Sequence, residues 1–88
     1  MYRYTINQTP GQADTIDQVL AALRAALTAA AARPGRRRCR WAITSPADRL
    51  HTGATTFGRP DGTAHHIAET LTTVGENLHR EAAAPPLN

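Results

Sequence analysis

Arginine is concentrated in one place in this chain: Arg33, Arg36, Arg37, Arg38 and Arg40 fall within eight positions, with no acid among them. A guanidinium presents a planar fork of donors that pairs with phosphate or carboxylate oxygens two at a time. The segment RRRCRWAIT, residues 36–44, follows the two-residue period of a strand. Arg36, Arg38, Arg40 and Ala42 then share one face, and Arg37, Cys39, Trp41 and Ile43 the other. Such a strand either holds an anion or is an ordinary amphipathic strand with a solvated, aggregation-resistant side.

Other groups could do chemistry. Ser45, Asp48 and His51 carry the residue types of a hydrolase triad within seven positions, but they straddle a proline turn and no pocket is implied. His65 and Glu69 stand one helical turn apart and could give a metal two ligands, with His51 the one obvious addition; a site needs three or four. No metal or cofactor is therefore expected, and the pattern leaves the roles of His65, His66 and His79 open. Cys39, the lone cysteine, shares the phase of Trp41 and Ile43, which predicts a buried, unreactive thiol and excludes an internal disulfide. The glycines at 53, 58 and 62 are spaced for turns, not for cradling phosphate.

The whole chain has 88 residues, a formal charge of +3 and no lysine, so one small domain is expected. Its aromatic residues are Tyr2, Tyr4, Trp41 and Phe57, and much of its apolar content is alanine, so the core must be thin. No apolar run opens the chain and none spans a bilayer, which predicts a soluble, cytoplasmic protein without a membrane partner.

Elements must position the arginines. Residues 2–6 alternate apolar and polar and predict a strand; residues 7–12, with Pro10-Gly11, predict a loop. A helix is expected from an Asp14 cap, with Ile16, Val19, Leu20, Leu23, Leu27 and Ala30 as its apolar stripe, stopped by Arg33-Pro34-Gly35. Residues 36–44 and 50–57 form two strands around a turn at 45–48, with Gly53 marking a bulge or weak point. A second helix starts near Asp61 or Thr63 and buries Ala64, Ile67, Leu71, Val74 and Leu78, while Gly75 invites close backbone approach. No sequence repeat is evident.

The order is thus β-α-β-β-α: a two-layer α+β sandwich over residues 1–81, with 82–88 a frayed tail. A parallel crossover through the first helix gives a three-stranded sheet of order 1-3-2 with both helices on one face. The uncovered face would carry Arg3, Arg36, Arg38 and Arg40, with His51 and Phe57 from the last strand as stacking groups. The function this favours is a small non-catalytic module holding nucleic-acid backbone with little sequence specificity. The first alternative is a protein-interaction or homodimerisation module that meets an acidic partner. A metal-independent ribonuclease using His51, with His65 or His66, is the second.

Overall fold

Residues 2–6 form a strand, and a second strand follows it immediately. The computed structural model describes residues 1–35, 37–58 and 63–84. Its elements are β1 (Tyr2–Ile6), β2 (Thr9–Ala13), α1 (Ile16–Ala32), β3 (Arg37–Thr44), β4 (Leu50–Phe57) and α2 (Thr63–Ala83). The segment expected to be a loop is a hairpin: Asn7 and Gln8 both take positive φ, as a two-residue type I′ turn requires.

The sheet therefore has four strands, not three, in the order β2-β1-β3-β4, and every pairing is antiparallel. The extra strand also reverses the expected crossover. β2 carries the chain back to the start of β1, so α1 climbs alongside β1 and β3 descends antiparallel to it. Ser45–Arg49 then closes a tight turn with Asp48 at positive φ, bonded Ser45 N–H to Arg49 O and Asp48 N–H to Ser45 O, both at 2.9 Å.

A β-β-α order is used twice, and the β1–β3 register (Tyr4 opposite Ile43, Ile6 opposite Trp41) is that of a pseudo-twofold passing between Thr5 and Ala42. Matching positions hold matching chemistry. Tyr4 lies over Gly11 in the neighbouring edge strand, and Trp41 lies over Gly53 in the other. A Cβ at either glycine would collide with the ring, so each glycine serves as a seat for an aromatic side chain. Gly53 is thus not a bulge; the ladder runs through it without a break. Gly53→Val is expected to lower stability by about 1–3 kcal/mol through forced displacement of the indole. Thermal melts check this against Gly58→Val, where a Cβ meets nothing.

The helices cover one face only. α1 starts one residue later than expected, on a Thr15 cap: Thr15 Oγ1 accepts from Gln18 N–H at 3.2 Å, and Gln18 Oε1 accepts from Thr15 N–H at 3.3 Å. Val19, Leu23 and Leu27 of α1 and Ile67, Leu71, Val74 and Leu78 of α2 close over Tyr2, Ile6, Cys39, Ile43 and Phe57. Gly75 admits a Leu20 side chain from α1 and not a backbone. The second helix runs on to Ala83, past the point where fraying was expected.

Candidate functional site

Strand parity determines what the uncovered face carries. The pairings place Arg38, Arg40, Ala42 and Thr44 of β3 beside Thr56, Ala54, Thr52 and Leu50 of β4, and beside Arg3 and Thr5 of β1 on the other side. None of these points at the helices. Arg38 and Arg40 are exposed, and their Cα atoms lie roughly 6.6 Å apart along the strand. Their neighbours are methyl and hydroxyl groups, too short to screen a guanidinium.

Carboxylates are nearly absent from this layer. Asp14 and Asp17 sit at the start of α1 and Glu69, Glu76 and Glu81 on α2, leaving Asp48 the one described acid in the sheet layer. Asp48 Oδ1 meets Arg3 at 3.3 Å, an exposed pair of little energetic weight that partly neutralises Arg3. No described carboxylate pairs with Arg38 or Arg40. Five of the six described acids thus lie on the helical side, together with Arg24, Arg33 and Arg80, and the open side carries Arg38 and Arg40 without a described counter-ion.

Two expected members of the site lie elsewhere. His51 pairs with Ile43 and Phe57 with Arg37, so both point to the helix side, as do Gly53 and Thr55. The tight turn sets this register: odd residues of β3 face odd residues of β4, one position out of phase with the arrangement expected from sequence. Phe57 is buried and meets the His66 ring edge-on, with centroids 5.5 Å apart at 84°. All four aromatic side chains lie on the helix side, so the open face holds no ring. Arg36 lies outside the described residues.

His51 instead joins a polar cluster that sequence reading missed. Glu81 Oε1 lies 3.0 Å from His51 Nε2, and the Glu81 carboxylate also accepts from the Ser45 hydroxyl. Ser45 Oγ also accepts from Arg49 N–H at 3.2 Å within the turn, so the bond from Ser45 to Glu81 ties the β3–β4 turn to the end of α2. Ser45 and His51 both address Glu81, and Asp48 faces Arg3, so no serine–histidine–acid relay forms. Glu81 was recognisable from its spacing: it falls three and seven residues after Leu78 and Val74 on the buried stripe. The sheet also separates His51 from Arg38 and Arg40, so a His51 acid–base group and those guanidiniums do not meet on one phosphate.

The Ser45 hydroxyl foremost, then the His51 ring and the Arg49 charge, hold the Glu81 carboxyl below the usual glutamate range against the opposing effect of burial. A lowered carboxyl pKa contributes stability that is complete above the unfolded value and is lost as pH falls through the folded one. Glu81→Gln is thus expected to cost on the order of 1–3 kcal/mol at neutral pH. It should also flatten the loss of stability on acidification, as read from melts across an acid pH series.

The remaining candidates do not assemble. His65 pairs with Glu69 at 2.8 Å on an exposed helix turn, and His66 bonds Thr55. Among the described residues no group of three or more metal-ligating side chains is present, and no helix is long and apolar enough to cross a membrane. Cys39 is fully buried, and burial pushes its thiol up despite an interaction with the Asn7 amide that works the other way. No protein-family model, curated protein or solved structure matches this chain.

Proposed function

We propose that this domain is a binding module that holds nucleic-acid backbone on its open sheet face by charge. The carrying observation is that Arg38 and Arg40 stand side by side on that face with no described carboxylate to satisfy them. Like charges in such proximity are unfavourable unless a counter-charge arrives. Guanidinium forks match phosphate oxygens, and Thr5, Thr44, Thr52 and Thr56 add hydroxyl donors around them. With every aromatic on the other side of the sheet, bases gain no stacking platform, so paired and unpaired strands should bind alike.

Fluorescence anisotropy of labelled single- and double-stranded RNA and DNA, at low and moderate salt, tests this. With two to three phosphates engaged the logarithmic salt slope should be roughly −2 to −3 on duplex, with little dependence on sequence. Absence of binding at low salt, or a strong preference for unpaired bases, counts against it.

A second reading, self-association, is favoured by the edge strands. Arg40 spends its backbone N–H and C=O on Asn7, at 3.0 and 2.9 Å, so by alternation Cys39, Trp41 and Ile43 direct theirs to β4. The backbone groups of Thr52, Ala54 and Thr56 then face the free edge. β2 is short and carries Pro10 on its outer side, whereas β4 spans eight residues without proline, bulge, lysine or arginine. Antiparallel pairing of two β4 strands about Ala54 sets Thr52 against Thr56 of the second copy. It also joins two arginine pairs on one surface, with the Arg40 positions roughly 14 Å apart, beyond the Debye length. Light scattering over a concentration series should give a dimer that Thr52→Lys/Thr56→Lys returns to monomer. A wild-type monomer throughout would dismiss this reading.

A further inference from the structure

Beyond the arginine pair the open face sinks into a trough of about 440 Å³ that three strands build. Arg3 of β1 lies between Gln12 of β2 and Thr44 of β3, and Thr5 lies between Pro10 and Ala42. Strand parity puts all of these on the uncovered side. Arg3 and Gln12 are the long side chains of the set, which leaves a hollow over Thr5, Ala42 and Thr44. Tyr4 and Gly11 turn the other way and give the trough backbone only, so it has no ring. Among the described residues no side-chain bond engages the Gln12 amide or the Thr5 and Thr44 hydroxyls. Arg3 is already turned to Asp48. Ala42 follows Arg40 by one step on the same face, roughly 6.6 Å along β3, so the trough adjoins the guanidinium pair.

We propose that this trough takes the ribose of an RNA strand whose phosphates lie on Arg38 and Arg40, and that Gln12, Thr5 and Thr44 read its 2′-hydroxyl. The assignment rests on the backbone-binding reading above and adds a preference between polymers to it. A 2′-hydroxyl both donates and accepts, as do threonine hydroxyls and the glutamine amide, and it is the group by which a protein distinguishes RNA from DNA. A phosphate laid on Arg40 brings the adjoining sugar over Ala42 and the hollow beside it. Deoxyribose offers only carbon-bound hydrogen there, so the same groups stay with water and DNA keeps the phosphate contacts alone. Without a ring in the trough no base is stacked, and the preference follows the sugar and not the sequence.

Anisotropy of the full chain at low salt with labelled unpaired RNA, DNA and 2′-O-methyl RNA of one sequence tests the site, repeated with a second sequence. RNA should bind roughly three- to tenfold more tightly than DNA, the worth of about one neutral hydrogen bond. The 2′-O-methyl strand, which has lost the donor, should fall toward DNA. Gln12→Ala and Thr44→Val should each bring the RNA-to-DNA ratio toward one, whereas Arg38→Ala/Arg40→Ala should weaken both polymers. Equal binding of RNA and DNA by the wild type would overturn the ribose site and leave the backbone reading standing. No binding of either would remove the backbone reading and this site with it. A preference that follows base identity, or one that survives both Gln12→Ala and Thr44→Val, would also overturn the ribose assignment.

Discussion

Leu23→Ala is expected to lower the stability of this domain by about 2–5 kcal/mol, while Leu50→Ala changes it by less than about 0.5 kcal/mol. Both residues are leucines, and the difference lies in where the fold puts them. Leu23 is fully buried at the centre of α1, where its side chain joins the shared core of both helices and the sheet. Truncation there removes the transfer term and leaves a cavity that a small, alanine-rich core has few long side chains to fill. Leu50 opens β4 on the uncovered face and is 65% exposed, so its truncation removes little burial. Domains of this size have about 5–15 kcal/mol in total, so Leu23→Ala alone consumes a large share. Chemical denaturation of the two variants measures this contrast, and equal effects would mean that the open face is covered after all.

The second large effect concerns binding. Arg38→Ala/Arg40→Ala should weaken nucleic-acid binding by at least roughly 100-fold at low salt, because each charge-assisted hydrogen bond to phosphate contributes roughly 1.5–3 kcal/mol. The logarithmic salt slope on duplex should fall by roughly two, because two fewer counterions are released. Arg3→Ala should do less, since Asp48 already occupies that guanidinium at 3.3 Å. Both β3 arginines are exposed on a solvated face, so the folded state should survive the change, and an unaltered thermal midpoint confirms it. A variant that keeps the wild-type slope would show that the phosphates are met elsewhere.

The parts legible in sequence were those where local pattern and tertiary placement agree. The alternation along the arginine-rich strand gave the correct faces for Arg38, Arg40, Cys39 and Ile43, and three- and four-residue steps located both helices. What failed was set by partners. Pro10-Gly11 reads as a turn in isolation, yet Pro10 is tolerated because its nitrogen faces outward on an edge strand. Gly11 is there because the Tyr4 ring fills the space of its missing Cβ. Missing β2 reversed the direction of everything after it, and so the expected parallel crossover and the 1-3-2 order were both wrong. Assigning β4 one position out of phase placed His51 and Phe57 on the wrong side, and only the Ser45–Arg49 turn fixes that register. Glu81 draws Ser45 and His51 together from distant parts of the chain, a convergence that no local spacing reveals.

A backbone-binding open face is tested most directly by amide chemical shifts of the labelled protein, titrated at low salt with a short DNA duplex. Shifts concentrated on Arg3, Thr5, Arg38, Arg40, Thr52 and Thr56, fading as salt is raised, with α1 and α2 quiet, are the expected result. Shifts centred on the helices, or none at low salt, would contradict it.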